Sequence, residues 1–248
     1  MDLTQYRNSQ AEQQRTADLF RLIPCDGLVA LDAGARDGYF SRMLARRFKT
    51  VVALDLEQPS FSYPRVVCVK GDVTHLSFDD SSFDLVVCAE VLEHIPSHAL
   101  EKACSELARV TRKHLLVGVP YKQDIRVGRT TCSACGSHNP PWGHRNVFDE
   151  ARLRRLFAGL TVEEESFVGR SDATTNWVST FLMDRAGNPY GTYDQEEPCI
   201  RCGAGLGTPL PRTMAQKVLT KAAMWAMEVT RPFNSVHANW IHLLLRKP

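Results

Sequence analysis

No stretch of this sequence approaches the roughly 18 consecutive apolar residues of a membrane span, and no internal repeat or low-complexity tract interrupts it. Met1–Gln14 is polar and lacks the apolar core of a secretory leader. Together these absences set the expectation of a cytoplasmic protein. A dominant charge is missing too: 30 Lys and Arg stand against 28 Asp and Glu, a net +2. That balance speaks against a duplex nucleic-acid binder, which usually carries a basic stripe, and leaves RNA open. A disulfide framework is also not expected. Of the 8 cysteines, Cys25, Cys68, Cys88 and Cys104 are scattered singly, while Cys132/Cys135 and Cys199/Cys202 form tight pairs. This is the usage of cytosolic thiols or metal ligands. With 44% apolar residues, 248 residues suffice for one large domain, or for a core domain with a sizeable insertion.

The chain is organised around 28–40. A short apolar run ends on Asp32, Gly34 and Gly38 punctuate a turn, and Tyr39 to Phe48 has helical spacing. This is the first crossover of an open α/β sheet, where glycine lets a ligand approach bare backbone beside the unpaired N–H groups of a helix. A strand–helix turn with no ligand would look much the same. Further strands are expected at 49–54, 66–69, 83–88 and 114–119, with a helix over roughly 97–110. Phe83–Cys88 is nearly continuous apolar sequence, the mark of a strand covered on both faces. Regular alternation predicts a mainly parallel sheet. It breaks at Tyr121 and resumes with a helix at Asp149–Ala158 and a strand at 160–168. Met214 to Val229 reads as a helix with one apolar face, and 236–245 as the closing strand.

Ligands of such sheets sit beyond the carboxyl ends of the strands. Acidic residues recur there: Asp32, Asp55, Asp72 and Glu90. Buried unpaired carboxylates are costly, so a row of them suggests a site rather than core. A carboxylate after the second strand can accept both hydroxyls of a ribose. Asp32 and Asp37 beside the glycines are poor neighbours for a pyrophosphate and acceptable for a ligand carrying ammonium and sulfonium groups, which makes a dinucleotide-dependent reductase a distant alternative.

L-D-A-G-A-R-D-G at 31–38 and F-D-L-V-V-C-A-E-V-L-E-H-I-P at 83–96 resemble the class I S-adenosylmethionine-dependent methyltransferases, and H-R-N-V-F-D-E-A-R-L-R-R-L-F resembles them more loosely. The resemblance implies a Rossmann-like, mostly parallel sheet of about seven strands flanked by helices, with the last strand antiparallel. It implies S-adenosylmethionine as cofactor, with Asp32, Gly34 and Gly38 at its methionine part and Asp55 on the ribose. Asp72 would meet the adenine amino group, Val73 the ring, and Ala89 and Glu90 would flank the cofactor near the acceptor. The family usually has glycine where this chain has Arg36, so the turn is more crowded here.

Cys132-x-x-Cys135-Gly136 and Cys199-x-x-Cys202-Gly203 share one shape. Two such knuckles make a tetrahedral four-thiolate site, preferred by zinc and closed to catalysis. Two redox pairs, an iron centre or free thiols are the alternatives. The expected organisation is an N-terminal helical cap (1–27), a cofactor-binding core (28–120), a first knuckle insertion (121–146), core continued (147–169), a second knuckle insertion forming a lid (170–212), and a C-terminal helix and final core strand (213–248). Zinc would clip the two insertions over the acceptor pocket.

Methyl transfer is an in-line displacement, helped mainly by alignment and exclusion of water. His94 and His144 are candidate general bases, each with a structural role as the alternative. Tyr121 is a candidate for shaping the acceptor pocket and Glu90 or Glu93 for holding a positive group on the acceptor; Trp142 and Trp177 could line a cavity, and Trp225 reads as core. The expected activity is methyl transfer to O or N of a small metabolite, such as a sugar-containing or natural-product intermediate. The alternatives are an RNA or protein methyltransferase docked by the zinc module near Arg126, Arg129, Arg201 and Arg212, and a non-catalytic interaction module.

Overall fold

The structure, a computed structural model, describes residues 7–24, 27–209 and 211–248. Both ends of the expected cap (1–6 and 25–26, with Cys25) and Leu210 of the second insertion lie outside the described residues. In chain order the elements are α1 (Gln10–Leu22), β1 (Gly27–Ala33), α2 (Tyr39–Leu44), β2 (Phe48–Asp55), β3 (Val66–Lys70), β4 (Phe83–Ala89), α3 (Leu100–Val110) and β5 (Thr111–Pro120). There follow β6 (Thr130–Thr131), β7 (His138–Asn139), α4 (Glu150–Leu156), β8 (Thr161–Val168), α5 (Trp177–Arg185), α6 (Met214–Thr230) and β9 (Trp240–Arg246).

Two compact units emerge among the described residues: 7–121 with Phe148–Gly169 and Ala238–Pro248, and Lys122–Val147 with Arg170–His237. The first, the core unit, is a 7-stranded sheet in the order β3-β2-β1-β4-β5-β9-β8. β1 to β5 pair in parallel, and β9 runs antiparallel to both of its neighbours.

Strand alternation splits the core into two layers. Leu31, Val86 and Val117 point to one face, where α3 supplies Leu100, Ala103, Cys104, Leu107 and Val110 and α4 supplies Leu153. Their neighbours Ala30, Leu85, Val87 and Leu116 point to the other, covered by Leu19 and Leu22 of α1 and Leu44 of α2. β4 is buried from Phe83 to Cys88 because both of its faces are covered. The helix expected over 39–48 stops at Leu44, because Phe48 is needed as the first buried residue of β2.

The second unit, the insertion unit, differs from the reading of the sequence in three ways. The stretch 170–212 holds a helix the sequence reading did not place: Trp177–Arg185, opened by a reciprocal cap between Asn176 and Ser179. A ribbon of β6 and β7 brackets the first cysteine pair. The long helix α6 belongs with this unit rather than with the core, and Trp225 is 69% exposed rather than core. Trp142 and Trp177 are exposed as well.

Candidate functional site

The carboxyl ends of β1, β2 and β4 carry the expected residues, all within the core unit. After Ala33 the chain turns sharply over the end of β2. The N–H groups of Gly34 and Ala35 both donate to the Leu54 carbonyl, at 2.8 and 3.0 Å, and Gly38 closes the turn on Ala35. Glycine is required at two points. Gly34 has φ +88° and a Cβ there would fall 2.2 Å from Val91 Cγ2; Gly38 has φ +74° and a Cβ would fall 2.0 Å from the Phe61 ring. Arg36 sits at φ +47°, the left-handed region that glycine enters freely and other residues enter at a cost of about 1 kcal/mol.

Asp55 anchors this turn. Its Oδ2 accepts the Arg36 N–H at 2.7 Å and its Oδ1 accepts the Leu56 N–H at 2.7 Å. Each carboxylate oxygen keeps a lone pair for a further donor. Asp72 is exposed and caps its own turn through the Thr74 N–H at 2.8 Å, while Val73 beside it is buried. Asp37 is held by Arg7 at 2.6 Å.

Asp32 departs from the expectation. It is buried and turned onto the Ser41 hydroxyl in the first turn of α2, so it braces the turn from beneath instead of presenting its carboxylate outward. Burial, with Asp55 as a negative neighbour, lifts its carboxyl from 3.8 to about 6. A raised folded value favours the neutral form, so its contribution to stability is full below about pH 4 and is lost as pH climbs through 6. The difference is worth about 3 kcal/mol. Asp32→Asn, neutral and of the same shape, is therefore expected to flatten the fall in melting temperature across that range. Parallel melting profiles for the two proteins would refute it.

Beyond β4, Glu90 adopts φ +58° and its N–H donates to the Gly118 carbonyl. Its Oε2 accepts the Trp240 indole N–H at 3.2 Å, and Arg15 of α1 lies 3.9 Å from its Oε1. The same Arg15 pairs with buried Glu12 at 2.6 Å. Glu93, the other candidate for holding a positive group, is fully buried. Both of its oxygens lack a hydrogen-bond partner, and burial beside Glu90 pushes its carboxyl well above the usual range. Tyr121 is buried, with its hydroxyl donating to Glu150 at 2.6 Å.

Ser41, Arg15 and Trp240 were not singled out from the sequence. Trp240 reaches this edge because β9 runs antiparallel and pairs it with Pro120 at the end of β5, a placement that only topology reveals.

The candidate bases fall in separate units. His94 is half-buried in the core unit, in the turn its N–H closes on the Val91 carbonyl. His144 is buried in the insertion unit, with Nδ1 2.6 Å from Gln123 Oε1. An amide oxygen there assigns the proton to Nδ1 and the lone pair to Nε2.

In the insertion unit the sulfurs of Cys132 and Cys202 lie 3.7 Å apart, as do those of Cys135 and Cys199, and all four fall within 4.8 Å of one another. A tetrahedron with metal–sulfur bonds of about 2.3 Å has edges of about 3.8 Å, whereas a disulfide needs about 2.0 Å. The knuckles superpose in their bonding. Gly136 N–H donates to the Cys132 carbonyl and Gly203 N–H to the Cys199 carbonyl, each at 2.9 Å, with both glycines at positive φ. The four cysteines thus have the geometry to hold one tetrahedral ion. The same unit encloses a cavity of about 340 Å³ lined by Met183, Met224, Met227, Tyr190, Arg126 and Arg129.

Residues 31–116 match the family model described as a methyltransferase domain. A probable S-adenosylmethionine-dependent methyltransferase of Mycolicibacterium smegmatis is 32% identical over 149 residues, 56% of this chain and 54% of that one. The chain spans about half the length of the curated relatives it matches. A putative methyltransferase of Bacillus halodurans superposes with a TM-score of 0.60 at 18% identity, over 94% of this chain and 98% of the other. A Burkholderia thailandensis 1,6-didemethyltoxoflavin-N1-methyltransferase, solved with its acceptor and S-adenosylhomocysteine, gives 0.55 at 16% identity over 98% and 81%. At such identities the two structures speak to the fold.

Proposed function

We infer that this chain, which carries a methyltransferase domain of the class I fold, transfers a methyl group from S-adenosylmethionine to oxygen or nitrogen of a small metabolite. The observation that carries the reading is Asp55, oriented by two backbone N–H groups at the tip of β2 beside a glycine turn. In this reading Asp55 holds the ribose hydroxyls and Asp72 the adenine amino group, with Val73 against the ring. Gly34 and Gly38 leave room for the methionine part, and Ala89 and Glu90 border it. Asp32 acts as a positioning residue through Ser41.

The cofactor supplies an electrophilic methyl on a sulfonium. The chain's own share is alignment and exclusion of water. A hydroxyl acceptor also needs a base, and His94 and His144 are the candidates. We assign acceptor recognition to the insertion unit, whose cavity sets Met183, Met224 and Met227 beside Tyr190. The four cysteines would hold a structural zinc, leaving no open position for catalysis. Docking of RNA on this unit finds less support: Arg126 is engaged by Asp124 and Arg129 by Asp184.

Titration calorimetry of zinc-replete protein with S-adenosylhomocysteine tests the reading. One site per chain is expected, with no heat from NADH. A folded protein that binds neither S-adenosylhomocysteine nor S-adenosylmethionine would overturn it.

A further inference from the structure

Within the insertion unit α5 and α6 form an antiparallel hairpin. The Asn176 side chain, at the start of α5, donates to the Ala226 carbonyl at 2.9 Å and lies 3.1 Å from the Thr230 hydroxyl, near the end of α6. Each helix buries small or polar residues, Ser179 and Thr220 with Ala223, and turns large apolar ones outward. Trp177 is 77% exposed, Phe181 52%, and Phe233, just beyond α6, 87%. Met214, Val218, Trp225 and Val229 recur along α6 at the spacing of a single face, and all are exposed. This inverts the usual burial order. So many exposed large apolar side chains on one helix pair mark an interaction surface.

The charges around the face say what covers it. Lys217 and Lys221 flank the stripe on α6, and Arg185 lies over the Phe181 ring at 5.0 Å. The sole acid of α6, Glu228, is 3.5 Å from Arg231. Aromatic residues ringed by cations complement an apolar interior behind anionic headgroups. A second copy is the competing occupant of this face, and the experiment below separates the two by oligomeric state. No helix among the described residues is long and apolar enough to cross a membrane, so the hairpin would lie in the plane of the surface.

We propose that the outer face of the α5–α6 hairpin seats this protein on anionic lipid bilayers, with Trp177, Trp225 and Phe233 at the acyl boundary and Lys217 and Lys221 among the headgroups. The proposal is independent of the methyl-transfer reading.

Co-sedimentation of the zinc-loaded 248-residue chain with vesicles tests it, using phosphatidylcholine alone and phosphatidylcholine mixed with phosphatidylglycerol. Binding is expected to the mixed vesicles only, falling as salt rises, with a blue shift of tryptophan emission. K217E/K221E is expected to weaken it on the order of twentyfold. W225S/F233S is expected to weaken it roughly tenfold while leaving S-adenosylhomocysteine affinity and circular dichroism as in the parent. No binding to mixed vesicles, or binding indifferent to lysine reversal, would overturn the proposal. So would a dimer broken by W225S in a protein that ignores vesicles. Vesicle binding without S-adenosylhomocysteine binding would refute the enzymatic reading alone.

Discussion

Cys132→Ser is expected to drop bound zinc from one equivalent per chain to a small fraction and to unfold both insertions together, while the sheet stays folded. The partner across the cluster, Cys202, is 70 residues away in sequence, so one lost thiolate severs a link between segments that share little other core. The apolar cluster beside the sulfurs amounts to Leu206 with Ala204. The other links are mostly polar, such as Asp124 accepting from the Thr175 N–H and hydroxyl at 2.7 Å each. α6 compensates little, because the side chains it buries fully are the small Thr220 and Ala223. Structural zinc contributes about 10–16 kcal/mol in small finger peptides, more than such contacts replace. Metal analysis with limited proteolysis checks the point: cleavage should appear within 122–147 and 170–237 at once. Cys199→Ser should reproduce it. Zinc remaining at one per chain, with protection unchanged, would show the ligand set to be wrong.

The sequence made the core legible where one physical demand dominated. Continuous apolar Phe83–Cys88 could only be a strand covered on two faces, and the strand–Gly34–Gly38–helix run could only be a crossover turn. The paired cysteines were legible because thiolate spacing is local. The outward stripe of α6 was misread because periodicity shows that a helix has an apolar face, not what covers it; Trp225 has the same spacing buried or bare. α5 escaped notice because its capping partner is Ser179 rather than the more telling Glu or Gln. At the site, Asp32 and Asp55 look alike as acids ending strands. Their difference arises from Ser41, in the first turn of α2, which draws Asp32 inward. The Arg15–Glu90–Trp240 grouping joins three distant parts of the chain and had no local signal.

Asp55→Ala is expected to raise the dissociation constant for S-adenosylhomocysteine on the order of a hundredfold or more with little loss of stability. Two hydroxyl donors on a carboxylate contribute about 1.5–3 kcal/mol each, and the turn that presents them loses its acceptor for Arg36. The exposed N–H groups of Arg36 and Leu56 can turn to water, so the fold should survive. Asp55→Asn separates the two contributions. It keeps one acceptor oxygen but sets an amide N–H against one backbone N–H, so a loss of roughly tenfold is expected. A second readout needs no ligand. Asp55 is among the causes that lift the Asp32 carboxyl toward 6, so removing its charge should let that carboxyl ionise at lower pH. The pH-dependent loss of melting temperature should then be smaller and finish at lower pH in Asp55→Ala, and be absent in Asp32→Asn. An Asp55→Ala protein with parental affinity but a shifted melting profile would leave the two carboxylates as neighbours and take the ribose away from them.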